Sequence, residues 1–187
     1  MRAVHPALRV ELTLTDRVLD LTAWGADCWV CVGEVRDPGL VSRKLGTMER
    51  VLIAAPELLK KLGPVSIAPF AVALRRARAL RDRQVRMLDR SGRSRMEMLD
   101  TPIQTDSLLS SYRAILNGAG IGAAAPWMCQ EDLKTGRVQR VLANWWLEPI
   151  ALHAALPPGI YRPARVTAFI DALKTRMFAL SGFEQSS

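Results

Sequence analysis

Within the first 32 residues the hydrophobic period changes twice. Residues 10–15 run Val, Glu, Leu, Thr, Leu, Thr, an alternation that predicts a strand with one buried face. Asp16 follows as a helix N-cap, and Val18, Leu19, Leu21 and Thr22 fill a short helix that Gly25 closes. Residues 28–32, Cys-Trp-Val-Cys-Val, are apolar on both faces, which suits a strand in a parallel sheet covered by helices. Strand, helix, strand is the order of a parallel α/β domain. At 187 residues the chain forms one large domain or two small lobes sharing a hinge, and either can bury a core.

The rest of the chain continues in short elements. Asp37-Pro38-Gly39 is a turn, and residues 40–45 and 50–55 predict two strands separated by Gly46. Pro56 begins a helix through Leu62, stopped by Gly63-Pro64, and residues 72–74 predict a short strand. Val85, Met87, Met96 and Met98 flank Arg90-Ser91-Gly92-Arg93, the pattern of a β-hairpin, and residues 102–105 predict one more strand. A helix capped by Thr105 or Asp106 buries Leu108, Leu109, Tyr112, Ile115 and Leu116 and ends at Asn117-Gly118. Residues 121–125 predict a tightly packed strand that Pro126 breaks, 127–133 a helix, and 138–142 and 150–156 strands. The last helix, with Pro163 in its first turn, runs to about Leu180 and turns Val166, Phe169, Ile170, Leu173 and Met177 inward. Residues 182–187 are expected to fray.

Charge and chemistry narrow the function by exclusion. Nine arginines lie in residues 75–95 against Asp82 and Asp89, so this segment holds most of the net charge of +8. Such a strip is a phosphate-binding footprint or the solvated face of a hairpin, and the absence of an aromatic residue within it favours the second. Cys28, Cys31 and Cys129 make no disulfide framework. On a strand Cys28 and Cys31 point to opposite faces, so core packing outweighs redox or zinc chemistry. His5 and His153 are the only histidines, and His153 reads as a packed or hydrogen-bonded residue. Residues 117–122, Asn-Gly-Ala-Gly-Ile-Gly, follow a helix and precede a strand, the reverse of a dinucleotide-binding turn. No carboxylate pair, metal set or nucleophile motif stands out; no catalytic residue, metal or cofactor is expected, and the chain does not read as an enzyme. The N-terminus lacks the apolar core of a secretory signal and no stretch reaches the roughly 18–20 apolar residues of a membrane span, so a cytoplasmic location is expected.

Three stretches carry a resemblance. The first is His5-Pro6, then residues 9–17, Leu19-Asp20-Leu21, Gly25-Ala26-Asp27 and Val32-Gly33. The second is residues 40–46, then 50–56 and Leu59. The third is residues 118–122, Pro126, Asp132-Leu133, Gly136-Arg137-Val138, Val141-Leu142, Arg165-Val166 and Phe169-Ile170-Asp171. In order and spacing these resemble the effector-binding (substrate-binding) domain of LysR-type transcriptional regulators over nearly the whole chain.

The resemblance implies an α/β, two-lobed fold like type II periplasmic binding proteins, with two crossover strands. Lobe one would take residues 1–47 plus 148–187 and lobe two 48–147. It also implies a small-molecule effector, anionic or aromatic, in the cleft between lobes, lined by Thr13, Thr15, Gly33, Glu34, Ala54, Thr105, Asp106 and Ala125. It further implies a homodimer, a tetramer when full length, and DNA binding only through a helix-turn-helix that precedes this domain. On that alignment the helix-turn-helix, the linker helix and the first strand of the sensor lie outside the chain, and the effector modulates DNA binding by the full-length protein. Two alternatives remain beside this one. A solute-binding receptor shares the fold but needs an export leader, and a nonspecific nucleic-acid binder would use residues 75–95.

Overall fold

The computed structural model describes residues 8–15, 21, 23–63, 71–74, 84–98, 100–159 and 163–185. Ten strands and four helices lie among them: β1 (Trp29–Val32), β2 (Val41–Ala54), α1 (Pro56–Leu62), β3 (Ala71–Leu74), β4 (Gln84–Asp89), β5 (Ser94–Met98), β6 (Ile103–Thr105), α2 (Leu108–Leu116), β7 (Ile121–Ala124), α3 (Pro126–Lys134), β8 (Gln139–Val141), β9 (Trp145–Leu156), α4 (Ala164–Met177) and β10 (Phe183–Gln185). The class is α/β, as the alternation of elements implies. None of the described helices is long and apolar enough to cross a membrane. The chain divides into two compact units: one holds residues 1–48 and 150–187, the other Glu49–Pro149. β2 and β9 run through both.

In the first unit β1 pairs antiparallel with the second half of β9, Trp29 opposite Ala155 and Val32 opposite Leu152. β10 pairs antiparallel with the first half of β2, Phe183 opposite Met48 and Gln185 opposite Gly46. Leu45, Leu152, Ala154 and Leu156 turn their side chains to α4, which answers with Val166 and Ile170. Phe169, Met177 and Phe183 close the margin of that cluster. Leu21 is also buried.

The second unit is a sheet covered on both faces. Leu52 and Ala54 of β2, Ile121 of β7, Met87 of β4 and Leu147 of β9 pack with Leu58, Leu59 and Leu62 of α1. The alternate residues of the same strands, Val51, Ile53 and Ala124 with Trp146 at the margin, pack with Tyr112 and Ile115 of α2 and Cys129 of α3. A strand whose two faces both enter a core is apolar at successive positions, which is why residues 51–55 carry no polar side chain.

Several expectations are corrected. Residues 8–15 form no strand, and Val10, Leu12 and Leu14 are exposed. A period-two pattern defines a face but not the neighbour that must complete its ladder. Residues 40–45 and 50–55 are one strand of 14 residues, because Gly46 passes within the ladder to β10 instead of breaking it. β3 pairs parallel with β6 and with β7, but the other pairings with known register are antiparallel. β1 is antiparallel to β9, and its Val32 is exposed. The tail expected to fray includes β10, and β9 starts at Trp145, where it pairs with Asp89 of β4. The expected hairpin forms as β4 and β5, and α1 spans Pro56–Leu62 with Gly63 at its end. The helix expected after Asp16 falls mostly on residues 16–20 and 22, and much of the arginine strip on 75–83, all outside the described residues.

Candidate functional site

Three parallel strands set one edge of the second unit. Leu74 of β3 lies opposite Thr105 of β6, and Val72 lies opposite Gly122 of β7, so the three carboxyl ends share a side. β6 leads through Asp106 and Ser107 into α2, and β7 leads through Ala125 into α3. Two helices therefore begin at this edge, and helix N-termini present backbone N–H groups and a positive dipole end to whatever approaches. Ligands of open α/β sheets bind at such carboxyl ends.

The cap of α2 is neither Thr105 nor Asp106. Thr105 is still paired in β6, and the helix begins at Leu108. Ser107 has extended backbone angles, and its hydroxyl accepts from Ser110 N at 3.3 Å. Thr105 supports the cap: its Oγ1 accepts from Ser107 N at 3.2 Å. The buried face also differs from the expected one. Ser111, Tyr112 and Ile115 are buried, while Leu108 and Leu109, expected inside, are exposed. α3 starts with Pro126 after Ala125 and has no side-chain cap.

Ala54 does not join Thr105 and Ala125. It is fully buried, and β2 is antiparallel to β7 with Ile53 opposite Gly122. Ala54 is thus level with the amino end of β7, about 13 Å along the strand from Ala125 at about 3.3 Å per residue. Thr13 and Thr15 lie in the exposed segment 8–15 of the first unit. Gly33 follows β1 with φ +95°, a conformation that favours glycine. Its N–H donates to Ala151 O at 2.7 Å, and His153 Nδ1 donates to its carbonyl at 2.7 Å. Because a carbonyl only accepts, the imidazole keeps its proton on Nδ1. Glu34 is exposed and 3.5 Å from Arg36.

Polar groups that sequence reasoning missed join distant positions. Tyr112 OH donates to Asp132 Oδ2, and Arg137 Nη2 lies 2.5 Å from Asp132 Oδ1, tying α2, α3 and the turn after α3 together. Burial, then the bond to Asp132, pushes the Tyr112 phenol above its ordinary range. Asp132 reads from the sequence as a carboxylate of a surface helix, but it is buried, whereas Arg137 enters only through the resemblance. Only Tyr112, as a buried helix position, carried a signal of its own. The thiols are held protonated: burial raises Cys28 and Cys31 to about 11, and burial also raises Cys129. Among the described residues no cluster of His, Cys, Asp and Glu could hold a metal ion.

Two compact α/β units through which two long strands run are the anatomy of periplasmic-binding-protein-like regulatory domains. The LysR substrate binding domain family model matches residues 1–178, and the chain belongs to that family. It is a family of transcriptional regulators and not of enzymes. The chain is 28% identical over 184 residues to the HTH-type transcriptional regulator PtxR of Pseudomonas aeruginosa, covering 92% of this chain and 56% of that protein. It is 25% identical over 176 residues to the HTH-type transcriptional regulator DmlR of Escherichia coli, covering 91% and 56%. The chain thus spans a little over half the length of these relatives. Among solved structures, the regulatory domain of CrgA, a LysR-type transcriptional regulator from Neisseria meningitidis, is similar with a TM-score of 0.72 at 21% identity, over 94% of this chain and 87% of that one. The regulatory domain of AphB from Vibrio vulnificus is similar with a TM-score of 0.60 at 22% identity, over 93% and 86%. At these identities the structures speak for the fold alone.

Proposed function

We propose that the chain is the effector-sensing part of a LysR-type regulator. It binds a small anionic or aromatic metabolite without turnover, and its occupancy modulates DNA binding by a full-length protein. The observation that carries this reading is the edge where Thr105, Asp106, Ser107 and Ala125 meet the starts of α2 and α3 in a chain of this family. Two helix N-termini favour a carboxylate there, and the Thr105 and Ser107 hydroxyls can orient it. In this reading the regulator is a cytoplasmic homodimer, tetrameric at full length, that reaches DNA through a helix-turn-helix outside this chain. Gly33, Glu34, Thr13 and Thr15 stay proposed contributors, as the resemblance places them; Ala54, buried level with the amino end of β7, is the weakest.

An effector shifts the balance between two states only by binding one of them better. The test is a thermal-shift screen of the chain against small carboxylates, aromatic acids and amino acids. A saturable rise for one chemical group, reduced in Thr105→Val, is the expected result. A cooperatively melting chain that no compound stabilises, or a hit unchanged in Thr105→Val, refutes this placement of the site.

A further inference from the structure

Trp146 of β9 is surrounded by more positive charge than the acids beside it neutralise. Its indole lies on the sheet face that carries α2 and α3, at the margin of their core cluster. The guanidinium carbon of Arg90 stands 4.1 Å from the ring centroid and that of Arg140 4.7 Å. Arg90 follows the end of β4, where Leu88 is opposite Trp146, and Arg140 comes from β8, opposite Ile53 of β2. One carboxylate pairs with Arg90: Glu49 Oε1 is 3.4 Å from Arg90 Nη1. No carboxylate among the described residues is within ion-pair distance of Arg140. The neighbouring pair, Arg86 with Glu148 at 3.5 Å, balances itself.

Arg140 is also short of hydrogen bonds. A guanidinium carries five donors. Among the described residues only its Nη2 is engaged, by Trp145 O at a long 3.4 Å, and its Nε is buried with no partner. Burial, then the charge of Arg90, lowers the Arg140 pKa, and Glu49 opposes both. A stack that served stability alone would need one cation on the indole. The second adds repulsion and leaves polar groups under-bonded. A seated oxyanion offsets the repulsion and can accept from the terminal guanidinium nitrogens, because a guanidinium fork matches carboxylate and phosphate oxygens.

We propose that Arg140 and Arg90, stacked on Trp146, form an oxyanion site that receives the phosphate or carboxylate group of a small molecule. It uses none of the residues at the edge built by Thr105 and Ala125, and it stands or falls separately from the effector reading.

The test titrates inorganic phosphate and acetate separately into the chain at ionic strength fixed with sodium chloride, following indole fluorescence and melting temperature. A saturable response is expected, at least about tenfold weaker in Arg140→Gln and weakened in Arg140→Lys, which keeps the charge but loses the fork. Arg113→Gln, at an exposed arginine of α2, binds as wild type. If Arg140→Gln melts too early to titrate, Arg90→Gln gives the same reading from a side chain that is 71% exposed. Saturation by phosphate alone assigns a phosphate ligand, by acetate alone a carboxylate. No saturation by either, or equal binding by both arginine variants and wild type, overturns the proposal.

Discussion

Gly46 is the position where a single methyl group does most damage. It stands in β2 opposite Gln185 of β10, and a Cβ there would lie 2.1 Å from the backbone oxygen of Glu184 and 2.7 Å from two atoms of the Phe178 ring. Its φ is not positive, so alanine suits the backbone and the penalty is steric alone. The oxygen belongs to the main chain, and relief requires β10 to move as a strand. That movement disturbs the edge-on contact of Phe178 with Phe183, whose ring centroids are 6.4 Å apart, and lifts Phe183 off the Leu45 cluster. Forced overpacking costs about 1–3 kcal/mol and a lost aromatic pair about 0.5–1.5 kcal/mol. Gly46→Ala is therefore expected to lose about 2–3 kcal/mol, a fall of about 4–12 °C in Tm for a chain of this size. Urea unfolding and thermal melting give the magnitude, and amide exchange at residues 183–185 shows whether β10 has left. Gly159→Ala is the control: its Cβ meets nothing within 4 Å, and no loss is expected. A Gly46→Ala chain within about 0.5 kcal/mol of wild type, with β10 amides still protected, would refute the steric argument.

Other consequences are as direct. Asp89 Oδ1 accepts from Ser91 N, Ser91 Oγ and Arg93 N, and Oδ2 from Arg93 Nε, which, led by the Ser91 hydroxyl, hold the carboxyl at about 2. This turn is stabilised above the ordinary carboxylate pKa of about 4 and loosens as pH falls toward 2; amide exchange at Ser91 and Arg93 should rise there in wild type but not in Asp89→Asn. Tyr112 has the opposite sign: its phenol is raised, so its contribution is whole below about pH 10 and declines above it, as the unfolded chain ionises first. Tyr112→Phe should flatten the alkaline fall in stability, and an unchanged slope would exclude the pair with Asp132 as its source. At about pH 8, Cys28, Cys31 and Cys129 should react with a thiol reagent far more slowly in the folded chain than in urea. A fast-reacting Cys31 or Cys129 in the native state would contradict their burial.

Punctuation by proline and glycine made much of the fold legible. Pro56 and Gly63 bound α1, Pro126 opens α3, and Ser91-Gly92 turns the hairpin because the bonds of Asp89 close within five residues. What sequence could not reveal depends on partners far along the chain. The alternation at residues 10–15 has no marker for its missing ladder, and Gly46 resembles a break until β10 is set beside it. Ser107 outranks Thr105 as a cap only once β6 is known to hold Thr105 in its pairing with Leu74. Strand order alone groups Thr105, Asp106 and Ala125, whereas position in a resemblance could not reveal that β2 runs against β7 and carries Ala54 away. The stack of Arg90 and Arg140 on Trp146 joins three strands, and no local pattern announces it.

The two strands that run through both units also impose an order on synthesis. The second unit, Glu49–Pro149, is one uninterrupted stretch of chain and has all its strands and helices as soon as it leaves the ribosome. The first unit is divided around it: Trp29 must wait for Ala155, and Met48 for Phe183. At about 5–20 residues per second, the early half stays without its pairing partners for several seconds, with Leu45 exposed, until α4 and β10 emerge. Newly made chains are thus vulnerable to proteases and to mispairing at residues 29–48, and a stop codon shortly after Pro149 would leave that segment permanently open.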